Sequence, residues 1–142
     1  MSKKFELTTE TKTLFGRTLY RIRALIAFSC VKAGELGGWV EKEENLSQEG
    51  NAWVCGNARV FGDARVTKHT HLFQIGAIGS RGGFTTFVRS KAKNILVDCG
   101  CFRGTIAVFE ARVKEVHAGT NHEKTYLAAI ELAKMQMEDV EV

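Results

Sequence analysis

The 142-residue sequence contains no proline, whereas average usage of about 5% would place roughly seven in a chain of this length. Its turns must therefore be built largely from the 14 glycines. It also lacks any apolar run near the roughly 18 residues that a membrane helix needs, and its start has no apolar segment of signal-peptide length. These absences predict a cytoplasmic protein without a membrane partner.

The four cysteines form no pair of Cys-x-x-Cys units at zinc-finger spacing. In a cytoplasmic chain they are expected to be reduced thiols. Cys99 and Cys101 stand two apart, a rare spacing for neighbouring ligands in a structural zinc site. The sequence therefore predicts no metal site and no cofactor, and it leaves the role of these two thiols open.

The charge of the chain is moderate, because 20 basic and 16 acidic side chains give a net charge of +4. This excess is compatible with an anionic partner or with a solvated basic surface. No segment matches a module that recognises DNA or RNA, so nucleic acid is not an expected partner. No Ser/His/Asp or Cys/His signature, His-x-x-x-His pattern or Asp-x-Asp pattern occurs either. A binding protein is favoured over an enzyme.

What the sequence does contain is a repeat, since Gly50–Thr67 consists of three six-residue copies without insertions. Each copy (hexad) begins with glycine and Asn or Asp, a pair that favours a positive-φ corner. An alanine and a valine two residues apart then share one face of an extended strand and are expected to point inward. These inward residues are Ala52, Val54, Ala58, Val60, Ala64 and Val66. Three hexads make about one coil of a left-handed β-helix, which needs cover from flanking segments or from a homo-oligomer.

A hairpin is predicted ahead of the repeat, with arms Thr11–Phe15 and Arg17–Leu25. Alternation in the second arm predicts two faces: Tyr20, Ile22 and Ala24 on one, Arg17, Leu19, Arg21 and Arg23 on the other. The arginines form a stripe that is either a charged outer face or a surface for an acidic host protein. A glycine-rich turn is predicted over Lys32–Gly38, and Glu41–Glu49 is an acidic run that leads into the repeat.

The second half predicts an antiparallel sheet covered by two helices. The strands are expected at His71–Ile78, Phe84–Arg89 and Asn94–Cys99. The first helix is expected from about Ile106 to His117, with Ile106, Phe109, Val113 and Val116 on its apolar side. The second follows Thr120, which forms a capping box with Glu123, and its apolar residues are Tyr126, Leu127, Ile130 and Leu132. Asp139–Val142 is expected to fray. The fold class is therefore α+β: a β-rich segment 1–70 with about one coil of hexads, then 71–142, as one compact unit.

Two turns at the same end of the second sheet suit an anionic ligand. Gly79–Gly83 offers backbone N–H groups and an arginine, although it is also explained as a plain hairpin turn. Cys99–Thr105 leads into a helix N-terminus, although Thr105 is also explained as its N-cap. The predicted ligand-binding residues are Ser80, Arg81, Phe84, Phe87, Phe102, Arg103, Thr105, His122 and Lys124. The arginines would hold phosphates and a phenylalanine would stack a base, unless these rings belong to the core. No catalytic residue is predicted.

The repeat resembles the hexapeptide repeats of acyltransferases and of many phage proteins. The wider string Leu36–Val54, together with Gly76–Thr86 and Cys99–Thr105, resembles a family of small phage and prophage proteins with hexads ahead of an α+β end. The layout is also similar to that of the sponge proteins with which phages sequester cyclic ADP-ribose-like or cyclic oligonucleotide messengers.

This resemblance implies a phage protein that sequesters a phosphorylated nucleotide-type signal in the host cytoplasm without catalysis and so counters host defence. Two alternatives remain open. One is a hexapeptide acyltransferase, for which His69 and His71 lie just past the repeat. The other is a structural or protein-inhibiting phage factor that uses the arginine stripe.

Overall fold

The computed structural model of the chain describes residues 3–100, 102–137 and 140. Cys101 and most of the tail predicted to fray lie outside these residues. The chain divides into two compact units, Met1–His69 and Thr70–Val142. The described residues form two four-stranded sheets and, in the second unit, two helices that pack on the sheet. The predicted α+β class is therefore confirmed.

The sheet of the first unit is built from four strands in the order β1-β2-β3-β4. Their bounds are β1 Phe5–Leu14, β2 Arg17–Ala24, β3 Leu36–Val40 and β4 Arg59–Val60. The first three pair antiparallel, and β3 pairs parallel with β4. The hairpin predicted around Gly16 is confirmed. The prediction of a turn up to Gly38 is wrong for its last three residues, because they belong to β3.

The predicted faces of β2 are partly wrong. Leu19, expected beside the arginines, is fully buried, as is Ile22 three residues later. Alternation of buried and exposed side chains is interrupted between Leu19 and Ile22, where both neighbouring strands shift register: β1 between Leu7 and Thr11, and β3 opposite Arg21 to Arg23. The extra residues lie in β1 and β3, and such bulges increase the local twist of the paired strands. Strict alternation therefore does not describe the burial of β2.

The hexads bury the residues that the repeat predicts. The alanine and valine of every copy are at most 3% exposed. The three corner glycines, Gly50, Gly56 and Gly62, all have φ between +60° and +72°, where a side chain would be strained. The preceding segment runs parallel to the hexads: Trp39 pairs with Arg59, and Leu46 bridges to Val66. The hexads thus share a core with the segment before them.

Two buried polar side chains tie other segments to the hexads. Lys4 is 2% exposed, and its amine donates to the carbonyl oxygens of Ala52 (2.6 Å), Gly50 (3.4 Å) and Glu49 (3.5 Å). Burial lowers the pKa of this amine. Asn45 is 0% exposed and lies in a short helical turn, Glu43–Asn45. Both side chains satisfy backbone groups that the short strands leave without partners.

Glu41 links β2 to the third hexad at the edge of this unit. Its carboxylate accepts from Arg17 at 2.8 Å and from the Gly62 amide at 2.9 Å. Burial raises the pKa of Glu41, but the Gly62 N–H and the Arg17 guanidinium together outweigh burial. The net pKa therefore lies below the usual value for glutamate.

The second unit is an antiparallel meander followed by two helices. The strands are β5 Leu72–Ile78, β6 Gly83–Arg89, β7 Ile95–Cys99 and β8 Phe102–Thr105, in the order β5-β6-β7-β8. The helices are α1 Ile106–Val116 and α2 Asn121–Gln136. Three strands and both helices are confirmed. The sequence pattern does not predict β8, because it indicates a turn into the helix over residues 99–105.

Both helices begin at the threonines that the sequence indicates. Thr105 accepts from the Val108 N–H at 3.3 Å, and Thr120 accepts from the Glu123 N–H at 3.3 Å. The Glu123 carboxylate reaches back to the Gly119 N–H, at 3.2 Å, so only half of the predicted capping box forms as expected. No helix among the described residues is both long and apolar enough to cross a membrane.

The core of the second unit lies between the sheet and the two helices. It contains Phe87, Ile95 and Val97 from the sheet, Ile106, Phe109 and Val113 from α1, and Tyr126, Ala129, Ile130, Ala133 and Met137 from or after α2. Two predicted core residues are wrong, because Val116 is 59% exposed and Leu132 is 46% exposed. The buried face of α2 uses small alanines instead, which let the helix approach its neighbours closely.

Candidate functional site

The second unit contains a pocket of about 560 Å³ at one end of its sheet. This volume is in the range of small-molecule sites. The lining residues are Ile78, Ser80, Arg81, Gly83, Phe84, Cys99, Gly100, Phe102, Arg103, Phe109, Arg112, Val113, Val116, His117 and Tyr126. They come from the β5–β6 and β7–β8 hairpins, from α1 with the residue after it, and from α2. None of these described lining residues carries a carboxylate.

The two predicted turns meet at this pocket because of the strand pairing. Thr85 near the start of β6 pairs with Cys99 at the end of β7. The Gly79–Gly82 turn and the β7–β8 turn therefore lie at the same end of the sheet. Five of the nine predicted site residues line the pocket: Ser80, Arg81, Phe84, Phe102 and Arg103.

The other four predicted site residues have different positions. Phe87 is fully buried in the core, where its ring packs against Phe73 and Phe109. Thr105 caps α1. His122 and Lys124 lie on α2 outside the lining, with the His122 ring 5.7 Å from the ring of His117. The core and capping explanations therefore account for Phe87 and Thr105.

Arg103 lines the pocket and also lies beside an acidic residue. It contributes to the lining, but in the β7–β8 register it stands directly opposite Asp98. Side chains of directly paired residues lie on the same face of a sheet, and opposite charges there attract each other. Alternation places this pair on the face opposite to Val97 and Phe102, which belong to the helix-covered side. Arg103 is thus the predicted arginine with a nearby acidic neighbour.

Arg112 is a charged pocket residue that the sequence analysis missed. It lies on α1, three residues after Phe109 and four before Val116, and so borders the apolar face of the helix. Within the described part of the chain, neither Arg112 nor Arg81 forms an ion pair. The helical spacing itself could have placed Arg112 beside the pocket.

The floor of the pocket is formed around Tyr126, which is 8% exposed. Its ring packs edge-on against Phe109 at 5.7 Å and is stacked with His117 at 5.5 Å. Its hydroxyl lies 3.9 Å from the thiol of Cys99. Burial, and then Cys99, raise the pKa of Tyr126 to about 12, so the hydroxyl keeps its proton at neutral pH.

The β5–β6 turn fits closely over this hydroxyl. Gly79 has φ +81°, and a Cβ at this position would overlap the Tyr126 hydroxyl. Only glycine fits both requirements. The turn that carries Ser80 and Arg81 is therefore held directly against the pocket floor.

The arginine stripe of the first unit has a different environment. Arg17 pairs with Glu41 at 2.8 Å, Arg23 with Glu6 at 3.2 Å, and Arg21 with Glu10 at 3.5 Å. In addition, Arg21 and Lys12 both lie over the ring of Trp39. These arginines are neutralised by glutamates of the same unit.

The described residues contain no group of three or more His, Cys, Asp or Glu side chains placed to hold a metal ion. Of the two histidines that follow the repeat, His71 is 1% exposed, which closes its side chain to a substrate. His69 is exposed. Comparison of the chain with protein-family models and with curated proteins found no match.

Proposed function

We propose that the second unit binds a small phosphorylated, nucleotide-type molecule without transforming it. The observation that carries this proposal is a pocket lined by three arginines and by aromatic rings, with no carboxylate among its described lining residues. Ligand pockets typically combine an apolar wall with a few convergent polar groups. Here all the charged groups have the same sign.

Cations without carboxylate neighbours favour an anion in the space between them. Guanidinium groups donate paired hydrogen bonds that match the oxygens of a phosphate. A pocket lined by charge of one sign also concentrates oppositely charged ligands and speeds their binding. Arg81 and Arg112, from two different elements, supply this charge.

The aromatic part of the ligand is proposed to contact Phe84. This ring is 61% exposed, although large apolar side chains are usually buried. Stacking of a base on an exposed ring is worth about 1–3 kcal/mol. A ligand with a base at one end and phosphate at the other would use Phe84 and the arginines together.

A binding role fits the pocket better than a catalytic role. Cys99 is the only thiol in the lining of the described residues, and its neighbours are the hydroxyls of Thr85 (3.2 Å) and Tyr126 (3.9 Å). A cysteine nucleophile is commonly activated by an adjacent general base such as histidine, and within the described residues Cys99 forms no hydrogen bond to a histidine. With the resemblance stated above, this favours sequestration of a cyclic nucleotide-type signal by a phage protein, in which no turnover is required.

Isothermal titration calorimetry of the full chain tests the proposal. The ligands are cyclic ADP-ribose, cyclic di-AMP, a cyclic trinucleotide and ADP, with adenosine as the uncharged comparison. We expect at least one phosphorylated ligand to bind with micromolar or tighter affinity, on the order of 8 kcal/mol. Arg81→Gln should weaken this binding, whereas Lys91→Gln, in the turn at the other end of the sheet, should not.

Two results would overturn the proposal. One is the absence of binding heat for every phosphorylated ligand at concentrations far above micromolar. The other is recovery of a chemically altered ligand after incubation, detected by mass spectrometry, which would indicate an enzyme. Light scattering on the same samples measures the number of subunits and so tests the expected homo-oligomer.

A further inference from the structure

The Tyr126 hydroxyl has one distant hydrogen-bond partner among the described residues. Its oxygen lies 3.9 Å from the Cys99 sulfur, a weak donor and weak acceptor, and these residues offer it no closer partner. Yet the side chain is more than nine-tenths buried and lines the pocket. A buried hydroxyl normally finds an acceptor, because leaving it without one costs free energy.

The position of this hydroxyl is tightly fixed. The ring is held between Phe109 and His117, and the Gly79 backbone lies against the hydroxyl. Such a fixed donor favours a ligand oxygen at one place in the pocket, because no rotamer freedom is lost when it binds. Glycine at residue 79 permits this arrangement, since any side chain there would displace the Tyr126 ring or the turn.

Arg112 complements the hydroxyl from the helix side. It is exposed and has no described acidic partner, and the pocket residues Phe109, Val113 and Val116 surround it on α1. Arg81 faces the same space from the β5–β6 turn. Three donors thus approach from a helix, a second helix and a turn.

We infer that a phosphoryl group of the ligand is held by Arg112, Arg81 and the Tyr126 hydroxyl, and that Arg103 is not one of its partners. This inference rests on the proposed function and names the chemical group that the site recognises. Donors from three directions suit a phosphoryl group, whose oxygens point to the corners of a tetrahedron, whereas the two oxygens of a carboxylate lie in one plane. Arg103 is excluded because its cross-strand neighbour is Asp98.

Five variants separate these assignments, and Arg103→Gln, which removes the excluded arginine, is one of them. Tyr126→Phe removes only the hydroxyl, and the chain has one other tyrosine, so Tyr20→Phe is its matched control. Arg112→Gln removes one helix charge, and Lys124→Gln removes one charge from α2 outside the lining. Thermal denaturation followed by far-UV circular dichroism verifies that each variant is folded.

The probes are cyclic ADP-ribose and cyclic di-AMP, with inorganic pyrophosphate as the phosphate-only probe. For each probe that binds the wild type, Tyr126→Phe and Arg112→Gln should each weaken binding by about tenfold or more, as expected for a hydrogen bond to a charged group. Arg103→Gln and both controls should stay within about threefold of the wild type, a change of about 0.7 kcal/mol or less.

The outcomes distinguish the inference from the function on which it rests. If the wild type binds neither these probes nor any phosphorylated ligand of the calorimetric test, the proposed function fails and the inference fails with it. If the wild type binds a nucleotide but Tyr126→Phe and Arg112→Gln bind it equally well, only the inference is overturned. A loss in Arg103→Gln as large as that in Arg112→Gln would also overturn it, because Arg103 would then be a phosphate ligand.

Discussion

Replacement of Asn45 by aspartate tests whether one buried side-chain amide holds the acidic run Glu41–Glu49 against the hexads. Its Oδ1 accepts from the N–H groups of Glu41 (3.1 Å) and Lys42 (3.0 Å). Its Nδ2 donates to the carbonyl oxygens of Gly62 (3.2 Å) and Ala64 (2.8 Å). Aspartate has the same shape and keeps both accepted bonds, but it places an oxygen where two carbonyl oxygens need a donor.

The cost at pH 7 depends on the charge of the new side chain. An ionised carboxylate loses two donated bonds, about 1 kcal/mol each, and buries a charge against two oxygens for several kcal/mol more. A protonated carboxyl regains one bond, but protonation of a group with a pKa near 4 costs about 4 kcal/mol at pH 7. The protonated state with one lost bond gives a destabilisation of about 5 kcal/mol, a large part of the usual ~5–15 kcal/mol of a domain.

Both tryptophans, Trp39 and Trp53, lie in the first unit, so their fluorescence during urea denaturation reports on that unit. The matched control is Asn57→Asp, because Asn57 is exposed and Asp63 already occupies the equivalent position of the next hexad. We expect the control to change stability by less than about 0.5 kcal/mol.

The pH dependence gives the sharpest test. The carboxyl group introduced by Asn45→Asp would bind a proton in the folded state but not in the unfolded state near pH 7, so stability falls as pH rises. The penalty of Asn45→Asp relative to the wild type should shrink by about 1.4 kcal/mol per unit as pH falls from 7 towards 4. A penalty that is independent of pH, or no larger than that of Asn57→Asp, would refute the reasoning.

Three further predictions concern single contacts. Glu41→Gln should lower the free energy of unfolding by up to about 1 kcal/mol above pH 5 and by nothing at low pH. The reason is that the lowered pKa of Glu41 contributes stability, which is lost as pH falls through the folded-state pKa. Urea midpoints measured against pH test this, and an equal loss at every pH contradicts it. Gly79→Ala should weaken nucleotide binding in calorimetry, since its Cβ would overlap Tyr126, and unchanged affinity would contradict the fit. Thr105→Ala and Thr120→Ala should each cost about 1 kcal/mol in thermal denaturation, and no measurable loss would argue against capping.

Features set by local spacing could be predicted from the sequence. The alanines and valines of the hexads are buried because a two-residue period places them on one face, and neighbouring segments cover that face. The glycine corners and both threonine caps follow from the local conformational preferences of those residues. The common end of the two turns follows from antiparallel pairing of β6 with β7.

Features set by tertiary contacts could not be predicted in the same way. Leu19 is buried in a strand whose two neighbours both shift register, and no pattern in its own strand indicates those shifts. β8 is four residues long and contains glycine, which is depleted in strands. Asn45 lies in an acidic run that is typical of a surface. Its side-chain amide is buried because it donates hydrogen bonds to carbonyl groups of the third hexad, which its own segment does not indicate.

The two groups of arginines in this chain provide an internal comparison for the proposed site. On the stripe, all three guanidinium groups lie within 3.5 Å of a glutamate of the same unit, so the surface there has little net field. At the pocket, Arg81 and Arg112 have no such neighbour among the described residues, although an exposed arginine needs none for stability. The difference matters for a ligand: a phosphate about 4 Å from each guanidinium gains about 1–4 kcal/mol per charge pair, depending on how far water is excluded. On the stripe the glutamates would cancel most of that gain, so the arginines favour an anion only at the pocket.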